Sequence, residues 1–226
     1  MILRRMAKLV IFDLDGTLLD TIGDLAAACD AALAAKGLPR HTPEACRRMV
    51  GNGIRNLAMR SLPEAMRGDD ALVDEVRDAL VDYYIDHIDI HTRPYEGMHE
   101  VVRRLTTRGV KVAVASNKFQ AGTEKLVRRF FPDIEFAAVC GQREGVPLKP
   151  DPQVDVEIMR AAEASAAECV HVGDSSVDIA TAKAAGVCSV GVTWGFRPRG
   201  EIESCRPDHI ADTAGELYEI LERVLL

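Results

Sequence analysis

No CxxC pair and no cysteine–histidine cluster occurs in this sequence: its six cysteines, Cys29, Cys46, Cys140, Cys169, Cys188 and Cys205, are spread along 226 residues. That spacing offers no zinc framework and argues for reduced thiols in a cytoplasmic compartment, used as small core residues. A basic stripe is also missing. Lysine and arginine total 28 against 35 acidic residues, a formal charge of -7, so nucleic acid is excluded as an expected partner. There is no long apolar run, and Met1 to Lys8 carries Arg4, Arg5 and Lys8 without the apolar stretch of an export signal. The expectation is a soluble, unexported chain with no membrane partner. Glycine (17) and proline (10) are too sparse for a fibrous or disordered chain.

What is present suits one large domain, or an ordinary domain carrying a smaller insert: 47% hydrophobic and 28% charged residues in 24.7 kDa. A chain of this size hides roughly 70% of its unfolded surface without help from disulfides or metals. Any metal would therefore serve chemistry. The acidic balance repels anions at long range, so an anion-binding enzyme of this composition must concentrate positive charge locally, with a cation or one placed lysine.

Short apolar runs recur at 8–12, 110–115, 136–140, 169–172 and 188–192, and they read as buried strands. Helical patterns at Thr123 to Phe131, Gln153 to Glu163 and Val177 to Ala185 separate the later ones. Gly109 and Gly186 follow helical runs where a left-handed cap is wanted. This alternation predicts an α/β fold, a Rossmann-like parallel sheet with helices on both faces. Nearly a hundred residues separate the first strand from the second, far beyond the dozen or so that a crossover needs. Apolar spacing at Leu25, Cys29, Ala32, Leu33 and at Leu72, Val76, Leu80, Tyr83, Tyr84 predicts an inserted α-helical cap. The expected division is a core of residues 1–20 and 92–226 and a cap of residues 21–91, standing over the strand ends where ligands bind in such sheets.

Chemistry concentrates at those ends. Asp13 and Asp15 follow the first strand at positions that share one side of an extended backbone, and Gly16 supplies a sharp turn. Two carboxylates so close need a cation or a shared proton; alternatively they cap a helix. Asp174 and Asp178 follow the fourth strand, as divalent-cation ligands or as an N-cap and a first-turn acid. The parallel sheet would bring both acidic groups to one edge, and an oxygen-rich set without histidine or cysteine suits Mg²⁺. Ser116, Asn117 and Lys118 end the second strand, either as phosphate-oxygen donors or as turn formers. Lys149 precedes Pro150-Asp151-Pro152, whose prolines stiffen the backbone and present it as a fixed charge, or as an ordinary solvated lysine.

Together, Asp13-Leu14-Asp15-Gly16-Thr17-Leu18, Ser116-Asn117-Lys118, Lys149-Pro150-Asp151-Pro152 and Gly173-Asp174-Ser175-Ser176-Val177-Asp178 resemble the four ordered motifs of the haloacid dehalogenase superfamily of phosphohydrolases. Asp20-Thr21, Val50-Gly51-Asn52-Gly53 and Thr193-Trp194-Gly195-Phe196 are most similar to the phosphoglycolate phosphatase group. The resemblance implies Mg²⁺-dependent hydrolysis of a small phosphorylated metabolite, most closely 2-phosphoglycolate, through an aspartyl phosphate. Asp13 would be the nucleophile, Asp15 the acid and base with its carboxyl free, and Lys149 the charge-neutralising cation. The metal would lie on Asp13, Asp174 and the Asp15 backbone carbonyl. Ser116, Asn117 and Lys149 would hold phosphoryl oxygens, with Asp178 and Thr17 in support. A sugar-phosphate mutase uses the same motifs, and a phospho-aspartate receiver switch uses a similar acid set at about half this length. Arg55 and Arg60 are candidates for a substrate carboxylate or simply solvated helix charges. Monomer and homodimer both remain open.

Overall fold

The computed structural model describes residues 8–225; Arg4 and Arg5 lie outside the described residues. β1 (Leu9–Phe12) has no exposed residue. Val10 and Phe12 join the larger apolar cluster and Leu9 and Ile11 the smaller one, so both faces of the strand are covered. Burying a side chain such as Phe12 contributes ~1.5–3 kcal/mol.

After β1 comes β2 (Leu19–Asp20), then four helices: α1 (Ile22–Ala34), α2 (Pro43–Met49), α3 (Ile54–Ser61) and α4 (Asp70–His87). On α4 the buried positions Val73, Val76, Leu80 and Tyr84 form one stripe at three- and four-residue spacing, which packs against α1 and α3. β3 (Arg93–Pro94) pairs antiparallel with β2, joining the two crossings of the insert. The buried Asp24 carboxylate reinforces that junction, accepting the His91 N–H at 2.9 Å, the Thr92 N–H at 2.8 Å and the Thr92 hydroxyl at 2.7 Å.

The chain continues through α5 (Met98–Thr107), β4 (Lys111–Phe119), α6 (Gln120–Phe130), β5 (Ala138–Gln142), α7 (Gln153–Ala162), β6 (Cys169–Gly173), α8 (Ser176–Ala185), β7 (Cys188–Val192), α9 (Arg199–Ser204), β8 (His209–Ala211) and α10 (Ala214–Leu225). Six parallel strands in the order β5-β4-β1-β6-β7-β8 make a Rossmann-like α/β sheet. β1 lies between β4 and β6, with Phe12 in register with Val114 and Val172. Strand order reverses beside β1, and the crevice at that reversal opens at the carboxyl ends, where Asp13 and Asp174 follow β1 and β6. Gly109 and Gly186 have φ of 77° and 70°, the left-handed conformation that ends α5 and α8.

Several boundaries differ from the sequence expectation. β4 runs on to Phe119, carrying Ser116 to Lys118 within the strand, although its register with β5 shifts after Ala115. β8 was not expected: three residues, of which only Ala211 is buried, form too short an apolar run to read. The cysteines are free, with Cys29, Cys46 and Cys169 buried. No described helix is long and apolar enough to cross a membrane.

Candidate active site

Buried Lys149 is the hub of the site. Its Nζ donates to Asp13 Oδ1 at 2.8 Å, Asp178 Oδ1 at 2.7 Å and the Ala115 carbonyl at 2.7 Å, using all three ammonium hydrogens. Asn117 fixes the lysine from the neighbouring strand: its amide nitrogen donates to the Lys149 carbonyl at 2.9 Å, and its oxygen accepts the Lys149 N–H at 2.8 Å. The Asn117 side chain is therefore a brace for Lys149, rather than a free donor for a ligand. Ser116 lines the same cavity with its hydroxyl, and its oxygen accepts the Lys118 N–H at 3.3 Å.

Asp13, Asp174 and Asp178 each bring a carboxylate oxygen within 4.8 Å of the others. Asp178 sits in the first turn of α8, where Oδ2 accepts from the Ser175 N–H at 3.1 Å and hydroxyl at 2.6 Å. Ser175, not Asp174, is the N-cap; α8 begins one residue later than a cap at Asp174 requires, which leaves that carboxylate facing the cluster. Gly16 and Gly195 make room for it. A Cβ on Gly16, at φ 89°, would lie 2.3 Å from Asp174 Oδ2, and one on Gly195 would lie 2.3 Å from Asp174 Cβ. Asp174 Oδ2 accepts the Phe196 N–H at 2.6 Å, but no lysine or arginine pairs with it among the described residues.

The charges explain the titration shifts. Burial, opposed by Lys149, raises the Asp13 pKa to about 6. Burial and the neighbouring Asp178 and Asp13 push Asp174 well above the usual carboxylate range. Asp178 falls below that range because Lys149 and His171 outweigh its burial. Burial opposes the charge on Lys149, but Asp13 and Asp178 overcome it and raise its pKa. One ammonium thus pairs with two of the three clustered carboxylates and leaves Asp174 without a lysine. The all-oxygen set, and an Asp174 that burial and its neighbouring acids push up despite the Phe196 N–H and the more distant Arg197, fit a hard divalent cation.

Asp15 is oriented differently. Its carboxylate, expected to stay off the metal, accepts from Lys118 Nζ at 3.0 and 3.1 Å and from the Thr21 hydroxyl at 2.6 Å. Lys118 also donates to the Tyr84 hydroxyl of α4 at 2.8 Å. Thr17 is fully buried and its hydroxyl has no hydrogen-bond partner, while its carbonyl accepts the Trp194 indole N–H at 3.1 Å. Of the two cap arginines considered, Arg55 pairs with Asp70 at 2.6 Å and Asp74 at 2.8 Å away from the cavity, whereas Arg60 lines the cavity while donating Nη1 to the Met49 and Gly51 carbonyls at 2.9 and 3.0 Å.

A cavity of about 570 Å³ opens over these groups, lined on the insert side by Arg48 and the Gly51-Asn52-Gly53 turn. Arg48 has no hydrogen-bond or ion-pair partner among the described residues. Arg197 closes one side, donating to the Arg47 carbonyl at 3.0 Å and to the Val50 carbonyl. Sequence reasoning did not find Arg48, the Lys118–Asp15 pair, Thr21, Tyr84 or the buried His171–Asp155 pair, whose Nδ1···Oδ2 distance is 2.7 Å. Burial lowers the His171 pKa, but the Asp155 carboxylate outweighs it and lifts the value to about 9.

A family model described as haloacid dehalogenase-like hydrolase matches residues 10–192. A phosphoglycolate phosphatase from Mesorhizobium japonicum is 37% identical, over 96% of this chain and 96% of its own length. Another phosphoglycolate phosphatase, from Vibrio parahaemolyticus, is 33% identical over 95% of this chain and 96% of its own. Among solved structures, a candidate phosphoglycolate phosphatase from Lactobacillus delbrueckii subsp. bulgaricus superposes with a TM-score of 0.86 at 30% identity, covering 96% of this chain and 98% of that one.

Proposed function

The chain belongs to the haloacid dehalogenase-like hydrolases, and from that premise we propose that it hydrolyses a small phosphate monoester, 2-phosphoglycolate, through an aspartyl phosphate on Asp13. The observation that carries this reading is the 2.8 Å contact between Lys149 Nζ and Asp13 Oδ1 in a buried cluster short of positive charge. Asp13 would attack phosphorus in line while the ester bond to the leaving oxygen breaks. Lys149 would neutralise phosphoryl charge as it arrives, and the Ser116 hydroxyl would donate to a phosphoryl oxygen. Asn117 would act through Lys149, which it braces, with its backbone left to meet the phosphoryl group.

Asp15 would give its proton to the departing alkoxide and then take one from the water that attacks the aspartyl phosphate. Its contacts with Lys118 and Thr21 hold the carboxyl on the cavity side of the turn. Mg²⁺, held by the Asp13 and Asp174 carboxylates and the Asp15 carbonyl, would supply Lewis-acid neutralisation of phosphoryl charge. Residues 21–91 would act as a cap that limits access to the cavity, with Thr17 packed beneath the turn.

Arg48 supports a substrate with a second anionic group. It is the cavity-lining arginine without a partner among the described residues, and a two-carbon phosphate ester carrying a carboxylate would supply one. Purified protein assayed for kcat/KM with Mg²⁺ across a phosphate-ester panel should favour carboxylate-bearing short esters. Arg48→Ala should raise KM for those about tenfold and leave neutral esters unchanged. Equal rates for neutral and carboxylated esters would overturn the substrate assignment, and turnover persisting in excess EDTA would overturn the metal.

A further inference from the structure

β6 places Cys169, His171 and Gly173 on one face of the sheet, toward the smaller apolar layer of Leu9, Ile11, Val154 and Ile158. In that layer His171 and Asp155 are 1% and 0% exposed. A buried ion pair is poor value for stability, since desolvation of both charges offsets their attraction. This one is also incompletely satisfied: Asp155 Oδ1 and His171 Nε2 have no hydrogen-bond partner. Its position accounts for it better than its energy does. Asp155 fixes the ring through Nδ1 at 2.7 Å, and Nε2 then lies 3.6 Å from Asp178 Oδ1. That same oxygen accepts from Lys149 at 2.7 Å, and Lys149 in turn reaches Asp13 at 2.8 Å.

We infer that His171, oriented by Asp155, is a positioning residue for the reactive centre: it sets the Asp178 carboxylate, and through it the placement of Lys149 on Asp13. Three elements meet in this arrangement. Asp155 lies in the first turn of α7, directly after the Lys149 loop, His171 is on β6 and Asp178 is in the first turn of α8. Asp178 Oδ2 is taken by Ser175, so Oδ1 can follow only Lys149 and His171. At 3.6 Å this is a charge contact and a packing wall rather than a hydrogen bond; removing the imidazole takes both from one side of that oxygen, and the carboxylate can swing away from Asp13 with Lys149 attached. His171 touches neither substrate nor metal in this scheme. Its kinetic consequence rests on the proposed hydrolysis, whereas its geometric consequence does not.

The test replaces both residues together, Asp155→Leu with His171→Leu, so that no lone buried charge remains. Thermal stability should be kept, kcat on a phosphate monoester should fall about tenfold or more, and KM should change little. In an Asp178→Asn background the same pair of substitutions should cause no further loss, because the residue through which His171 acts is already altered. A crystal structure of the leucine variant should show Asp178 and Lys149 displaced from Asp13. Should the leucine pair fail to fold, Asp155→Asn with His171→Asn, too short to reach Asp178, carries the same expectations. A folded variant with wild-type kcat, an equal loss in both backgrounds, or an unmoved Lys149–Asp13 contact would each overturn the inference. If wild-type protein hydrolyses no ester, the phosphatase proposal fails, and the crystal structure alone decides the positioning role.

Discussion

Asp13 and Asp15 leave the same strand two residues apart, yet their lysines tie them to different parts of the molecule. Every partner of the Lys149 ammonium belongs to the sheet or its following helix: Asp13 after β1, the Ala115 carbonyl on β4 and Asp178 on α8. Lys118, which holds Asp15, also bonds the Tyr84 hydroxyl on α4, inside the inserted helices, and lies 4.5 Å from that ring's centroid. A displacement of α4 therefore breaks a Lys118 contact and leaves the Lys149 set intact. The residue proposed to accept the phosphoryl group is anchored to the rigid sheet, whereas the one proposed to move protons is coupled to the element over the cavity. Any shift of α4 would thus reach Lys118 and Asp15 before it reached Lys149 and Asp13.

The largest expected effect comes from the sheet-anchored half. Asp13→Asn should reduce turnover to background while the thermal midpoint stays level or rises, because it removes one of three crowded carboxylates. Comparison of the two lysines sharpens the contrast. Lys149→Met leaves Asp13 and Asp178 buried without their ammonium and should cost about 3–5 kcal/mol of stability in denaturant titration. Lys118→Met should cost less, since Asp15 keeps the Thr21 hydroxyl and is the more exposed carboxylate. Equal losses would show that the two sides are not differently anchored.

Asp15→Asn probes the other half. General acid catalysis is typically worth ~10²- to 10⁴-fold, and it matters most for a leaving group that departs poorly without a proton. Turnover of an alkyl phosphate should drop by about that factor, and an activated aryl phosphate should lose far less. A uniform loss across leaving groups would remove Asp15 from the proton-transfer role and erase the division between the halves.

How much of this was legible in the sequence depends on what each residue follows. Asp13, Asp174 and Ser116 come at or near the ends of apolar runs, and a parallel sheet gathers such ends at one edge, so their convergence could be read directly. The partners of Asp15 could not. Tyr84 sits in an apolar helical stripe that looks like any other buried face, and its approach to Lys118 depends on how α4 docks. His171 occupies an inward position of a short buried strand, where the pattern suggests only core. Arg55 and Arg60 drew notice because they follow Gly53, but the fold pairs Arg55 with neighbouring acids and ties Arg60, at the cavity wall, to backbone carbonyls, while the unpaired arginine there is Arg48. β8 was missed because three residues carry too little periodicity to register.

The smallest expected effect separates the two titrating regions by pH. His171 has a folded pKa of about 9 against an ordinary 6.5, held up by Asp155 despite burial. A pKa raised on folding contributes stability that is fully present below the unfolded value and lost as pH rises through the folded one, so this contribution fades between about pH 6.5 and 9. Asp13 is also raised, from 3.8 to about 6, and its contribution fades earlier, between those two values. The windows do not overlap. In metal-free buffer, subtracting the thermal-midpoint curve of the Asp155→Leu, His171→Leu variant from that of wild type should leave a decline across the upper window, where Asp13 is already ionised in wild type. Parallel curves from pH 6.5 to 9 would mean that His171 is not charged in the fold. A difference appearing only below pH 6 would assign the linkage to Asp13, whose lysine the variant displaces, and not to His171 itself.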